Sequence, residues 1–108
     1  MVEYTLELDT TFHSLADPIR RDMLRRLATI ELSIGELAQK YDVSFAAISK
    51  HVKVLEKARL ISKRKEGKKY MVALLPERLQ SADEYLRQYQ QLWESRYTKL
   101  DALLKEGE

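Results

Sequence analysis

The chain of 108 residues contains no cysteine, three glycines, two prolines and two histidines. Without cysteine there can be neither disulfides nor thiolate metal ligands, and an intracellular protein is the expectation. With His13 and His51 as the only imidazoles, a zinc site would need completing by carboxylates, so no metal or other cofactor is expected. Scarce glycine and proline leave few breaks, which favours a mainly helical protein. No apolar run reaches membrane-spanning length, and Met1 to Asp9 is acidic and alternating, unlike a signal peptide. The length suits one domain, 1–108, with a modest core.

What is present is charge, unevenly spread. Ser44 to Lys69 holds nine Lys/Arg against Glu56 and Glu66, a local +7, while the other residues sum to −5. A basic block set in an acidic body is the electrostatic footprint of a polyanion binder. No nucleophile–base pair, glycine-rich phosphate loop or carboxylate dyad stands out, so an enzyme is not expected.

Ser33-Ile34-Gly35-Glu36 has the form of a capping box. The helix it opens, through Leu37, Ala38 and Tyr41, is expected to stop at Asp42-Val43-Ser44. Ser44 then caps a second helix, Phe45 onwards to about residue 57. Two short helices joined by about three residues form a helix-turn-helix, here over about 33–57. On a helical wheel Ile48, Val52 and Leu55 share one side, flanked by Phe45 and His51. Ala46, Lys50, Lys53 and Lys57 take the opposite side, with Ser49 between. Small residues at the first turn admit base edges, and the lysines behind them can neutralise phosphates. His51 is expected to bond the neighbouring helix or a phosphate, not a metal.

Next, strand-like alternation on either side of Glu66-Gly67 predicts a two-stranded β-hairpin over about 60–75, with Tyr70, Val72 and Leu74 on one face. Lys/Arg side chains crowd its tip. A basic hairpin directly after a helix-turn-helix is a wing. Upstream, Leu6, Phe12, Leu15 and Ala16 form a helical stripe ending at Asp17-Pro18, the N-cap and first residue of another helix. Its Arg20, Arg21, Arg25 and Arg26 are expected outside, serving solubility. After Pro76 a helix of about 77–106 carries Leu79, Ala82, Leu86, Tyr89, Trp93, Tyr97, Leu100 and Leu104 in an a/d-like seam. So long a stripe cannot be covered by so small a body, and a second subunit is expected on it.

These residues resemble the ArsR/SmtB-type winged-helix repressors across nearly the whole chain. The resemblance is carried by Phe12-His13-Ser14-Leu15-Ala16-Asp17-Pro18-Ile19-Arg20-Arg21, by Ile34 to Ala38, by Val43 to Glu56, and by the hairpin Arg64 to Tyr70. It implies a homodimer that binds a palindromic operator and represses transcription, with dimer contacts in the first and last helices. The family's metal sensors carry cysteines where this chain has Ser33-Ile34-Gly35, and its last helix has no histidine, so metal sensing is not implied. The family usually has glycine where Arg59 stands, and a polar residue at Phe45.

The expected fold is thus mainly α with a small β-hairpin, a winged helix-turn-helix with long N- and C-terminal dimerisation helices. Candidate DNA contacts are Ser44, Phe45, Ala46, Ser49, Lys50, His51 and Lys53 on the helix, and Lys63, Arg64, Lys65, Lys68 and Lys69 on the wing. Candidate dimer contacts are Leu6, Phe12, Leu86, Tyr89, Trp93, Tyr97 and Leu100. The expected partners are double-stranded DNA and a second copy of the chain, in the cytoplasm at the nucleoid. The alternatives are a winged helix that docks an acidic protein, or a repressor answering a metal or organic effector.

Overall fold

A computed structural model describes residues 6–106; the first five and last two residues of the expected domain lie outside that part. In chain order the elements are α1 (Leu6–Ser14), α2 (Pro18–Leu27), β1 (Leu32–Ser33), α3 (Ile34–Ala38), α4 (Phe45–Lys57), β2 (Ile61–Glu66), β3 (Lys69–Leu74) and α5 (Glu77–Glu106).

Local caps set most of these boundaries. Asp17 stands extended before Pro18 and accepts from the amides of Ile19 at 2.8 Å and Arg20 at 3.2 Å. Ser33 Oγ accepts from the Glu36 amide at 3.1 Å while Glu36 Oε1 accepts from the Ser33 amide at 3.0 Å, completing the capping box. Ser44 Oγ caps α4 through the Ala47 amide at 3.1 Å. At the far end of α4, Leu60 N–H reaches the Leu55 carbonyl and Arg59 N–H the Glu56 carbonyl, both at 3.0 Å. This is a Schellman motif, and it puts Arg59 at φ 60°. Glycine sits there freely; arginine costs roughly 1 kcal/mol.

Three expectations need correction. Helix α3 ends at Ala38, short of Tyr41, because the chain tightens into i→i−3 turns at Lys40 and Tyr41. Tyr41 is drawn out to donate its hydroxyl to Asp22 Oδ2 at 2.6 Å, with the Arg26 guanidinium 5.6 Å from its ring centre. The link to α4 is therefore residues 39–44, twice the expected length. Second, the α2 arginines are more than solubilising. Arg20 donates to the Ser14 and His13 carbonyls at 2.8 and 3.2 Å, and Arg21 to the Leu15 carbonyl at 2.7 Å. They answer the orphan carbonyls and negative end of α1. Arg25 and Arg26 pair with Asp22 at 2.7 and 2.9 Å.

Third, the hairpin gains a strand. The sheet is antiparallel in the order β1-β3-β2, with Leu32 opposite Val72 and Ser33 opposite Met71. Two residues are too short to show alternation, so β1 left no pattern to read. The hairpin turn is Gly67-Lys68, one residue later than expected, with Gly67 at φ 64°. A positive φ at the first of two turn residues is what glycine supplies there.

Met23, Leu27, Leu37, Ile48, Val52, Leu55, Leu60, Ile61 and Val72 form the core, all but sealed from solvent. It binds α2, α3, α4 and the sheet into one body. Helix α5 leaves that body. Ala82 is its last buried residue, and everything from Asp83 to Lys105 is exposed. The radius of gyration, 18.8 Å, far exceeds the roughly 13 Å of a compact chain this long. Near its start α5 receives α1, with Phe12 edge-on to Tyr85 at 6.0 Å and Tyr85 edge-on to Tyr89 at 5.7 Å. Among the described residues no helix is long and apolar enough to cross a membrane.

Candidate nucleic-acid interface

Helix α4 buries one side and bares the other. Ile48, Val52 and Leu55 are buried in the core, while Ser44, Phe45, Ala46, Lys50 and Lys53 are exposed and Ser49 is half-buried. Phe45 is 59% exposed, so it does not cap the core. It looks out over a recess of about 400 Å³ shared with Gly35, Gln39, Lys68, Lys69 and Tyr70, which lies between the helix-turn-helix and the wing.

His51 is placed differently from its neighbours on the wheel. Its Nδ1 lies 3.2 Å from Arg20 Nη1 and its Nε2 4.0 Å from Asp17 Oδ1, so the ring docks α4 on the start of α2. The Arg20 guanidinium can only donate in this contact, while Nε2 is the ring atom that faces Asp17. Burial works to raise the pKa of the Asp17 carboxyl. The Arg20 and Ile19 amides and the nearby His51 and Arg20 side chains outweigh it, and the net shift is downward.

The wing divides its cations into engaged and free. Lys63 stands on the inner strand face opposite Val72, reaching Glu56 of α4 at 3.8 Å with its ammonium 5.1 Å from the Tyr70 ring centre. Arg64 on the outer face pairs with Glu31 at 2.7 Å and Glu66 at 3.0 Å. The hydrogen bond from Arg64 is the main reason the Glu31 carboxyl lies below its ordinary pKa. Exposed ion pairs of this kind contribute little in water, so a phosphate can displace the carboxylates from Arg64 at small cost. Among the described residues, Lys50, Lys53, Lys65, Lys68 and Lys69 make no ion pair, and all five are exposed.

The structure thus gathers the α4 front and the hairpin tip, and sets His51 behind them. Periodicity did not reveal the Arg20–His51, Lys63–Glu56 and Arg64–Glu31 contacts, because each joins separate elements. No group of three or more His, Cys, Asp or Glu is placed to hold a metal among the described residues.

A capped pair of helices with a basic front, followed directly by a basic hairpin, defines a winged helix-turn-helix. A family profile described as a helix-turn-helix domain matches residues 15–64. The solved structure of an ArsR family transcriptional regulator superposes with a TM-score of 0.78 at 34% identity, covering 88% of this chain and 98% of that one. The chain belongs to the ArsR family of transcriptional regulators, a family of regulators and not of enzymes. It is similar to the HTH-type transcriptional regulator Rv2034 of Mycobacterium tuberculosis, 43% identical over 68 residues, 63% of this chain and 64% of that protein. It is also similar to the transcriptional repressor SdpR of Bacillus subtilis, 30% identical over 60 residues, 56% of this chain and 67% of that protein. The match to Rv2034 therefore spans a little under two thirds of that relative.

Proposed function

We propose that the protein is a homodimeric transcriptional repressor that binds a palindromic operator, working in the cytoplasm at the nucleoid. The observation that carries this reading is the exposed, unpaired front of α4 beside the free lysines of the wing. Ser44, Phe45, Ala46, Ser49 and Lys50 enter the major groove, where small side chains let the helix approach base edges. Lys53, Lys65, Lys68 and Lys69 hold phosphates, with Arg64 joining them once its carboxylates yield. Lys63 and His51 support this surface from behind.

Two copies meet through α1 and the bare seam of α5. Trp93 is 55% exposed and Tyr97 71%, in a row with Leu86, Tyr89 and Leu100. Large aromatics left open to water along one helix are the material of an interface. Leu6 and Phe12 extend it onto α1. The two-fold then sets half-sites about one helical turn, roughly 34 Å, apart.

Gel shifts with genomic DNA fragments at about 0.1 M salt test this, and discrete retarded complexes at nanomolar protein are expected. A folded dimer that retards nothing would overturn the reading in favour of a winged helix docking an acidic protein.

A further inference from the structure

We propose that the open recess where α1, the end of α4 and the start of α5 meet is a binding site for a small organic anion. The recess is about 390 Å³ and is lined by Lys57, Arg59 and Arg78 together with Glu7, Thr10 and Leu6. Three cations, from α4, the turn that ends it and α5, thus surround one recess, and the only acid among its described lining residues is Glu7, which pairs with Arg78. Lys57 and Arg59 have no carboxylate partner among the described residues.

Arg59 is the second observation. It occupies a left-handed position, where glycine is free of strain and arginine is not. The negative end of α4 does not demand it, since Lys57 meets that dipole from regular helical geometry. A guanidinium held there against backbone preference, beside the unpaired Lys57, suits a ligand with a carboxylate or phosphate group. Glu7 on its rim disfavours a phosphodiester strand.

The position gives such an anion leverage. Glu7 and Arg78 also line a second recess of about 210 Å³, shared with Thr11, Ser81 and Tyr85. An anion on Arg78 competes with Glu7 and so loosens α1 from α5, next to the Phe12–Tyr85 contact. Binding itself is independent of the repressor reading; its effect on operator occupancy rests on that reading.

The test is thermal unfolding and titration calorimetry of the full chain with sodium succinate or sodium phosphate, against sodium chloride at equal ionic strength. Millimolar succinate or phosphate should raise the melting temperature. Succinate acting alone marks an organic acid and phosphate acting alone a phosphate ester, and either supports the site. Arg59→Gly should melt no lower than the parent without ligand, yet bind the anion roughly tenfold more weakly, as should Arg78→Gln. Glu7→Gln, which removes the internal competitor, should bind several-fold more tightly. No response to either salt in the parent and Glu7→Gln proteins overturns the proposal. So does an unchanged response in Arg59→Gly, or an Arg59→Gly protein whose only defect is weaker binding to every DNA.

Discussion

Arg20 and His51, 31 residues apart, are joined by a 3.2 Å contact from Nη1 to Nδ1, and the same guanidinium holds the last carbonyls of α1. One side chain therefore fixes three helices. Arg20→Ala is expected to lose about 1 kcal/mol in urea unfolding, since it removes the donor from partly buried acceptors on two other segments. His51→Asn keeps an acceptor where Nδ1 stood and should lose less than His51→Ala. Equal losses from the two histidine variants would show that packing, and not this bond, matters.

Acid should unfold the protein through Asp22. Its carboxyl is held far below the ordinary carboxylate range, first by the Tyr41 hydroxyl and then by Arg25 and Arg26. A depressed folded pKa contributes stability that is present above the unfolded value of about 4 and is lost as pH falls towards the folded one. Asp22→Asn should therefore be destabilised at neutral pH and show a flatter acid limb. Tyr41 mirrors this at the alkaline end, pushed up to about 12 first by burial and then by its bond to Asp22. Its contribution holds below the ordinary tyrosine pKa and fades as pH rises through the folded value. Spectrophotometric titration of Tyr41→Phe should lack the corresponding late phenolate.

The division of wing cations can be read from salt dependence. Alanine at Lys65, Lys68 and Lys69 together should weaken binding to all sequences alike. It should also lower the slope of log affinity against log salt by about 2–3. Lys63→Ala, already committed to Glu56 and Tyr70, should leave that slope nearly unchanged. Loss of slope from Lys63→Ala alone would reverse the assignment.

Base reading is expected at the first turns of α4. Substitutions at Ala46 or Ser49 should change preference between operators, by about 1–3 kcal/mol at an affected base pair in a randomised-library selection. Uniform weakening across the library would mean that this face contacts only backbone.

Assembly should depend on the far part of α5. A Trp93→Ser, Tyr97→Ser double variant should keep its melting transition, because neither residue touches the core, and sediment at half the parent mass. A parent that sediments as one polypeptide at micromolar concentration would remove the dimer.

Local chemistry was legible and long-range chemistry was not. Ser33 to Glu36, Asp17-Pro18 and Ser44 announce helix starts, because a cap and its amide lie within three residues. The bounds of α5 were equally plain, as Pro76 opens a seam with nothing to interrupt it. The burial of Ile48, Val52 and Leu55 followed from one wheel. Tyr41 misled because its side chain answers Asp22 on another helix, which no periodicity encodes. Arg20 looked like any solvated arginine until the end of α1 supplied its carbonyls. For the site, the basic block was visible as charge, but its split into free and engaged lysines rests on strand faces and on Glu56.

Ser33 does two jobs at once, closing the cap of α3 and pairing with Met71 of β3. The base of the wing is thereby joined to the start of the first helix of the helix-turn-helix. A substitution at Ser33 is thus felt at two places at once, the opening turn of α3 and the short β1–β3 ladder behind the hairpin.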